Sequence, residues 1–281
     1  MITVAIPVFN DRDNLEATIV SVIEALEHID GGKLLISDDW SDDGSSSLCQ
    51  SLVSRFEGNL NIEYRKTPCS LGGASNHRFL LSLNESKYFM WMGQHDLVSK
   101  TYFSEALHFL ESNHEYAAVV AEHVAINEAE QVIPAKPINY SFYENNEPIL
   151  RFLISAAELT NCYLFHSVFR ASALEHFCFT GCPSEDHPII SFLAHSGKFK
   201  ASAETKFFRR YFSNAKRRER VLAGHYVSAT NNTDFIRSYF LNFEGILLNR
   251  GLKEAERAPL RAQLLNILTT RFGDFPSAKA S

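Results

Sequence analysis

Short, nearly continuous apolar runs alternate with stretches whose apolar residues recur at helical spacing along most of this chain. Thr3–Phe9 (TVAIPVF) reads as a buried strand, with Pro7 breaking it near its end. Leu15, Ile19, Val22, Ile23 and Leu26 then fall on one helical face, with Asn14 as the expected N-cap and Gly31-Gly32 as the stop. Leu34–Ile36 is a second apolar strand, Asn61–Arg65 a third and Tyr88–Met92 a fourth. Between the last two, a loop at Pro68–Gly73 leads into a helix bearing Asn76, Phe79, Leu80 and Leu83. A helix over Lys100–Ser112 and a β-rich run over Ala117–Ile126 continue the series. Repeated strand–helix units of this kind predict an α/β fold, with a mostly parallel sheet flanked by helices.

The later chain keeps this pattern and then changes. Pro188, Ile189, Ile190, Phe192 and Leu193 form the apolar side of a helix for which Ser184 is the expected N-cap, with Glu185 and Asp186 in its first turn. Lys198–Arg210 reads as a strand running into the most basic region, Lys206 to Arg220. From about Thr233 the spacing is helical. One apolar stripe runs from Phe235 to Leu247; Leu260, Leu264, Leu265 and Ile267 form another. These helices are expected to pack on the core or on a second copy of the chain, as a homodimer would. The tail after Phe275 is expected to lack order.

Polar groups gather where the strands end. Asn10-Asp11-Arg12-Asp13-Asn14 follows the first strand, and Asp38, Asp39, Asp42 and Asp43 crowd the end of the second. Ligands of open α/β sheets bind beyond the carboxyl ends of the strands. Crowded carboxylates there suit hydroxyl and amide donors or a cation; an acidic turn capping the next helix is the alternative reading. The fourth strand ends at Gly93-Gln94-His95-Asp96.

Composition narrows the field. The 281 residues suffice for a sizeable core, and a formal charge of −6 argues against a nucleic-acid partner. No apolar run is long enough to span a bilayer and no basic-then-apolar leader opens the sequence. Five cysteines without paired CxxC spacing point to reduced thiols in the cytoplasm and away from a zinc site.

The pairing of IPVFN (Ile6–Asn10) with DDWSDDGS (Asp38–Ser45) resembles family 2 glycosyltransferases of the GT-A fold, whose usual forms are near IPVYN and DDGSTDGT. Trp40 stands where that second form has glycine. YFMWMGQHD (Tyr88–Asp96) is similar to a branch with YFKWAAHDD at this strand end, but His95 replaces the first of its two aspartates. CSLGGASNHRF (Cys69–Phe79), NCYLFHSVFRASAL (Asn161–Leu174) and the helix after Glu185 match further family segments. The resemblance covers about residues 2–212 and implies a glycosyltransferase domain over 1–212, divided into a nucleotide-sugar half (1–98) and an acceptor half (99–212). Residues 213–281 would be a helical extension.

From the resemblance follow an inverting transfer, a nucleotide-diphosphate sugar as donor (UDP being the family's commonest) and a saccharide or lipid-linked acceptor, in surface polysaccharide synthesis. Asp186 matches the catalytic base, with Glu185 as runner-up. Pro7, Phe9, Asn10, Asp38, Asp39, Asn76, Arg78, Gln94, His95 and Arg210 are the implied donor-binding set. A divalent cation, Mn²⁺ or Mg²⁺, would sit at His95 and Asp96; the other reading of His95 is a hydrogen bond to phosphate or a loop carbonyl. Phe212 falls where relatives carry a histidine. A structural salt bridge is the expected role of Arg170. The basic stretch is open to closing over the diphosphate, to peripheral contact with a membrane's inner face, or to plain solvation. A catalytically degenerate relative that binds nucleotide or glycan without turnover is the other function.

Overall fold

The computed structural model describes residues 1–27, 29–56, 58, 60–135, 138, 142–182, 184–216 and 232–273. Eight strands form one sheet in the order β3-β2-β1-β4-β7-β6-β8-β5. They are β1 (Ile2–Val8), β2 (Gly32–Asp38), β3 (Asn61–Lys66), β4 (Tyr88–Trp91), β5 (Leu97–Val98), β6 (Tyr116–Ile126), β7 (Val168–Arg170) and β8 (Lys198–Arg210). Strands β1 to β4 pair in parallel, as do β6 and β8, whereas β7 runs antiparallel to both its neighbours and β5 antiparallel to β8. The helices are α1 (Arg12–Leu26), α2 (Ser45–Arg55), α3 (Gly73–Ser82), α4 (Tyr102–Ser112), α5 (Pro148–Glu158), α6 (Asp186–Ser196), α7 (Asn232–Asn249) and α8 (Glu254–Phe272).

Period-2 alternation sends each strand's side chains into two cores. Ile2, Val4, Ile6 and Val8 of β1 pack with Tyr88, Met90 and Met92 against α1 and α4. Ala5, Phe89 and Trp91 face the opposite core with α5, α6, α7 and α8. Trp91 is fully buried there, stacked on Phe165 at 4.5 Å between ring centroids. The C-terminal helices are part of this second core: Phe235, Ile236, Tyr239, Phe243, Leu264 and Leu268 are all buried in it. Leu265, assigned to the apolar stripe, instead faces out at 42% exposure.

Several local expectations are corrected. Pro7 does not break β1. The Ala5 carbonyl accepts Met92 N from the β4 side and the Val8 carbonyl accepts Asp39 N from the β2 side. Pro7 therefore turns its missing N–H toward β4, beyond Ala5, where β4 pairing has ended. The N-cap of α1 is Asp11; Asn14 lies inside the helix and donates to Asp11 Oδ1 at 2.7 Å. That helix stops at Leu26, several residues before Gly31. Ser184 lies one residue outside the α6 cap, with φ +61°, and Glu185 is the N-cap. Helix α5 and strand β5 carried no expectation. The tail after Phe275 lies outside the described residues.

Candidate active site

The turn after β2 is built on internal hydrogen bonds. Asp38 is fully buried and accepts from Ser41 N at 3.0 Å, Tyr64 Oη at 2.8 Å and Ser46 Oγ. Asp39, also buried, accepts from Leu71 N (2.7 Å), Gly72 N (2.8 Å) and Thr67 Oγ1 (3.0 Å), tying the loop before α3 to the β2 end. Both carboxylates thus gain the charge-assisted bonds that make burial tolerable. Trp40, between Asp39 and Ser41, has φ +65°, the left-handed region that suits the glycine of the usual motif and costs a bulky residue roughly 1–2 kcal/mol. Its indole donates to Thr67 O at 3.0 Å, and Lys66 Nζ lies 4.5 Å from its ring centroid.

The other residues of the expected donor set divide the same way. Asn76 is buried and exchanges two bonds with Ser37, accepting at 2.6 Å and donating at 3.1 Å. Gln94 clamps the Phe9 backbone, accepting from its N–H at 2.7 Å and donating to its carbonyl at 3.0 Å. Asn10 has φ +47° and its side chain accepts from Asp42 N at 2.9 Å. Arg78 is exposed, its guanidinium 6.0 Å from the Phe179 ring. Arg210 is buried and donates to the carbonyls of His95, Asn127 and Glu128 and to Glu130 Oε1. Its neighbour is different: Arg209 Nη1 is buried with no hydrogen-bond partner among the described residues. Arg170 makes no ion pair among the described residues; it donates to the carbonyls of Leu110, Asn113 and Tyr116 and to Tyr88 Oη.

At the end of β4 the departures from the family pattern touch one another. His95 Nδ1 lies 3.0 Å from the buried Asp11 carboxylate, and its ring meets Phe212 edge-on at 5.2 Å. Asp96 folds inward and accepts from Arg210 N at 2.9 Å. A Cβ at Gly93 would come within 2.4 Å of Asp96 Oδ2, so only glycine fits while Asp96 holds this pose. His95 and Asp96 turn to different partners, and among the described residues no third ligand joins them. Such an arrangement does not fit a hard divalent cation, which takes a shell of converging oxygen ligands.

A second group lies beside Gly93 and Asp96. His166, half-buried, donates from Nδ1 to Trp91 O at 2.9 Å and stacks on Phe207 of β8 at 5.1 Å. Burial pulls its pKa down to about 4, against the Asp96 charge that favours the imidazolium. Arg209, two residues along β8 from Phe207, shares that face. Its charge lowers the pKa of His166, His123 and Cys162 together, which puts it between the Asp96 side and the start of α6.

Of the two acids at α6, Glu185 is buried and accepts from Thr180 N, Thr180 Oγ1 and Gly181 N at 2.5, 2.8 and 3.2 Å. Asp186 is half-buried and accepts from His187 N at 3.2 Å and from the Cys162 thiol. Burial and the Asp186 charge push that thiol's pKa well up. The sequence carried no functional expectation for Cys162 and His187 individually, and Arg209 entered only as part of the basic stretch open to closing over the diphosphate. The basic stretch is described only to Lys216, which pairs with Asp13 at 3.7 Å; Arg217, Arg218 and Arg220 lie outside the described residues.

The sequence profile described as Glycosyl transferase family 2 matches residues 3–177. The chain belongs to that family of glycosyltransferases. No curated protein sequence matches the chain. Among solved structures, it is similar to residues 1–349 of S. aureus TarS in complex with UDP-GlcNAc (TM-score 0.66, 15% identity, covering 96% of this chain and 72% of that one). It spans 43% of the longer TarS structure. The mannosyltransferase PcManGT from Pyrobaculum calidifontis, in complex with GDP-Man and Mn²⁺, is similar at TM-score 0.59 and 14% identity, over 99% of this chain and 77% of that one. At these identities the likeness establishes the GT-A fold. No helix among the described residues is long and apolar enough to cross a membrane.

Proposed function

We propose that this glycosyltransferase moves a sugar, with inversion, from a nucleoside-diphosphate donor (UDP first among them) to a saccharide or lipid-linked acceptor, with Asp186 as general base. One observation carries the choice of base: Glu185 has its carboxylate bonded to the Thr180–Gly181 turn, whereas Asp186 is half-buried and, among the described residues, accepts only from Cys162 and its own helix N–H. A hydroxyl is a poor nucleophile at neutral pH. As the acceptor oxygen attacks the anomeric carbon, its proton passes to Asp186 and the bond to the diphosphate oxygen breaks. The nucleoside diphosphate leaves with the electron pair. Such base assistance is worth about 10²–10⁴ in rate.

Arg209, with a buried and unpartnered Nη1, is the cation we assign to the leaving diphosphate. The donor's base and ribose are assigned to the turn that Phe9, Asn10 and Asp39 frame, at the carboxyl ends of β1 and β2. The five free thiols suit a reducing cytoplasm. Initial rates with a panel of nucleotide sugars and glycan acceptors test the reading. Asp186→Asn should lose at least about a hundredfold in kcat while Glu185→Gln keeps kcat within about tenfold; equal losses would remove Asp186 from the role.

A second reading, binding without turnover, is favoured by Gly93, His95 and Phe212, which together leave no cation set at the β4 end. Tight nucleotide binding with no transfer from any donor would establish it.

A further inference from the structure

Beside the proposed base the chain brings together three different metal-ligating side chains. Cys162, just before the short turn Tyr163–His166, and Asp186 and His187, the first two residues of α6, each offer one ligand atom, all within 4.8 Å of one another. We propose that the Cys162 thiolate, the Asp186 carboxylate and the His187 imidazole bind a thiophilic divalent cation of the zinc class.

The donor types match. Zinc takes sulfur, imidazole nitrogen and carboxylate oxygen at about 2.0–2.3 Å, and a site with three protein ligands keeps a fourth position for water. Tetrahedral ligands at such distances stand about 3.5 Å apart, so the observed spacing needs a closure of about an ångström by side-chain rotation. A sulfur ligand also separates this place from the β4 end, since a thiolate selects soft or borderline cations over Mg²⁺ and Mn²⁺.

A second observation points to a ligand independently. His187 Nδ1 is buried and has no hydrogen-bond partner among the described residues. An unsatisfied buried polar atom is costly, and a ring nitrogen lacking a proton partner is what a metal takes. The ring is walled by Phe235 at 5.7 Å and Phe272 at 6.4 Å, from α7 and α8, which limits its freedom to turn toward water. Burial and the Asp186 charge keep the free Cys162 thiol protonated, with Arg209 and Arg271 only partly opposing them, so its proton is released to solvent as the metal enters.

The consequence for catalysis rests on Asp186 being the base: with its carboxylate on a cation it cannot take the acceptor's proton, so zinc would switch transfer off. Binding can be tested without activity. The purified full chain is stripped with chelator and titrated with Co²⁺ alone, reading the sulfur-to-cobalt charge-transfer band in the near ultraviolet. The expected result is a band saturating at one equivalent, bleached by one equivalent of Zn²⁺. It should vanish in Cys162→Ser and need at least about tenfold more Co²⁺ in His187→Gln, where a ligand is lost. The double variant Cys69→Ser, Cys178→Ser removes the two exposed thiols and should keep the band, which excludes them as its source, while a cooperative melt of Cys162→Ser at the wild-type temperature shows that this variant folds. No band in the wild-type chain, or a band lost with Cys69 and Cys178 instead, overturns the site. Transfer activity with no cobalt band would sink this site alone; a cobalt band with no transfer from any donor would sink the enzyme reading alone.

Discussion

At the carboxyl ends of β1 and β2, Asp38, Asp39, Asn76 and Gln94 spend their polar atoms on the protein's own turns. Around the start of α6, Arg209 Nη1 and His187 Nδ1 are buried without hydrogen-bond partners among the described residues, and Asp186 accepts there from His187 N and the Cys162 thiol. The first region is a scaffold whose charges fix loop shape; the second holds the groups to which the proposed function assigns partners from outside the chain. The contrast teaches that a motif rich in carboxylates marks where a ligand site is built, while the atoms able to do chemistry lie where hydrogen bonds are missing.

The largest expected effect is catalytic and sets the two acids of α6 apart. Asp186→Asn should cost about 10²–10⁴ in kcat with little change in melting temperature. Glu185→Gln should instead lose about 1–3 kcal/mol of stability through its charged bonds to Thr180 and Gly181, read by urea unfolding. Matching catalytic losses would erase the distinction.

The adjacent arginines sharpen it further. Arg210→Ala strands the carbonyls of His95, Asn127 and Glu128 and the Glu130 carboxylate, and should destabilise by about 2–4 kcal/mol. Arg209→Ala gives up no internal hydrogen bond through Nη1, and should leave the melting temperature nearly unchanged while weakening nucleoside-diphosphate binding at least about tenfold. Calorimetry of both variants with UDP checks this; the reverse pattern would return the donor role to Arg210.

A smaller effect comes from pH. Burial holds His166 and His195 at pKa values of about 4, below the ordinary 6.5, so the native state keeps both imidazoles neutral. As pH falls below 6.5 the unfolded chain takes up these protons first. Stability should therefore be flat above about pH 6.5 and decline toward pH 4, measured as a falling urea midpoint. A midpoint constant from pH 7 to 4.5 would mean that both rings titrate normally.

Much of this fold could be read from apolar spacing alone. The strands at Leu34–Ile36 and Tyr88–Met92 are continuous apolar runs with turn residues on both sides, and the sheet needs them buried on both faces. Ends of elements were harder. Asn14 has good cap chemistry but serves Asp11 from inside the helix, and Pro7 sits within a strand because only one neighbour persists at its level. Helix α5 escaped notice although its apolar face is strong, since no glycine or capping motif frames it.

The site was legible where a motif carried it and hidden where residues meet only in space. Asp186 as the proposed base follows from the family resemblance of the helix it starts. Arg209 does not: nothing in Arg209-Arg210 says which guanidinium is spent internally, because that depends on which face of β8 looks toward the Glu128 turn. Cys162 and His166 come from the turn before β7 and meet Asp186 and Arg209, respectively, only in space. The Gly93, His95 and Phe212 departures look like separate losses along the chain, yet in space His95 packs on Phe212 and Gly93 makes room for Asp96.

On the proposed reading, Arg209 holds the nucleotide-sugar's diphosphate, with no metal at His95 and Asp96. Thermal stability with and without UDP, each in chelator and in Mn²⁺, tests it directly. At a hundredfold excess over its dissociation constant UDP should add about 2.7 kcal/mol to the native state. The same stabilisation is expected in chelator as in Mn²⁺, and its loss in Arg209→Ala. Stabilisation that appears only with Mn²⁺ and survives Arg209→Ala would contradict it.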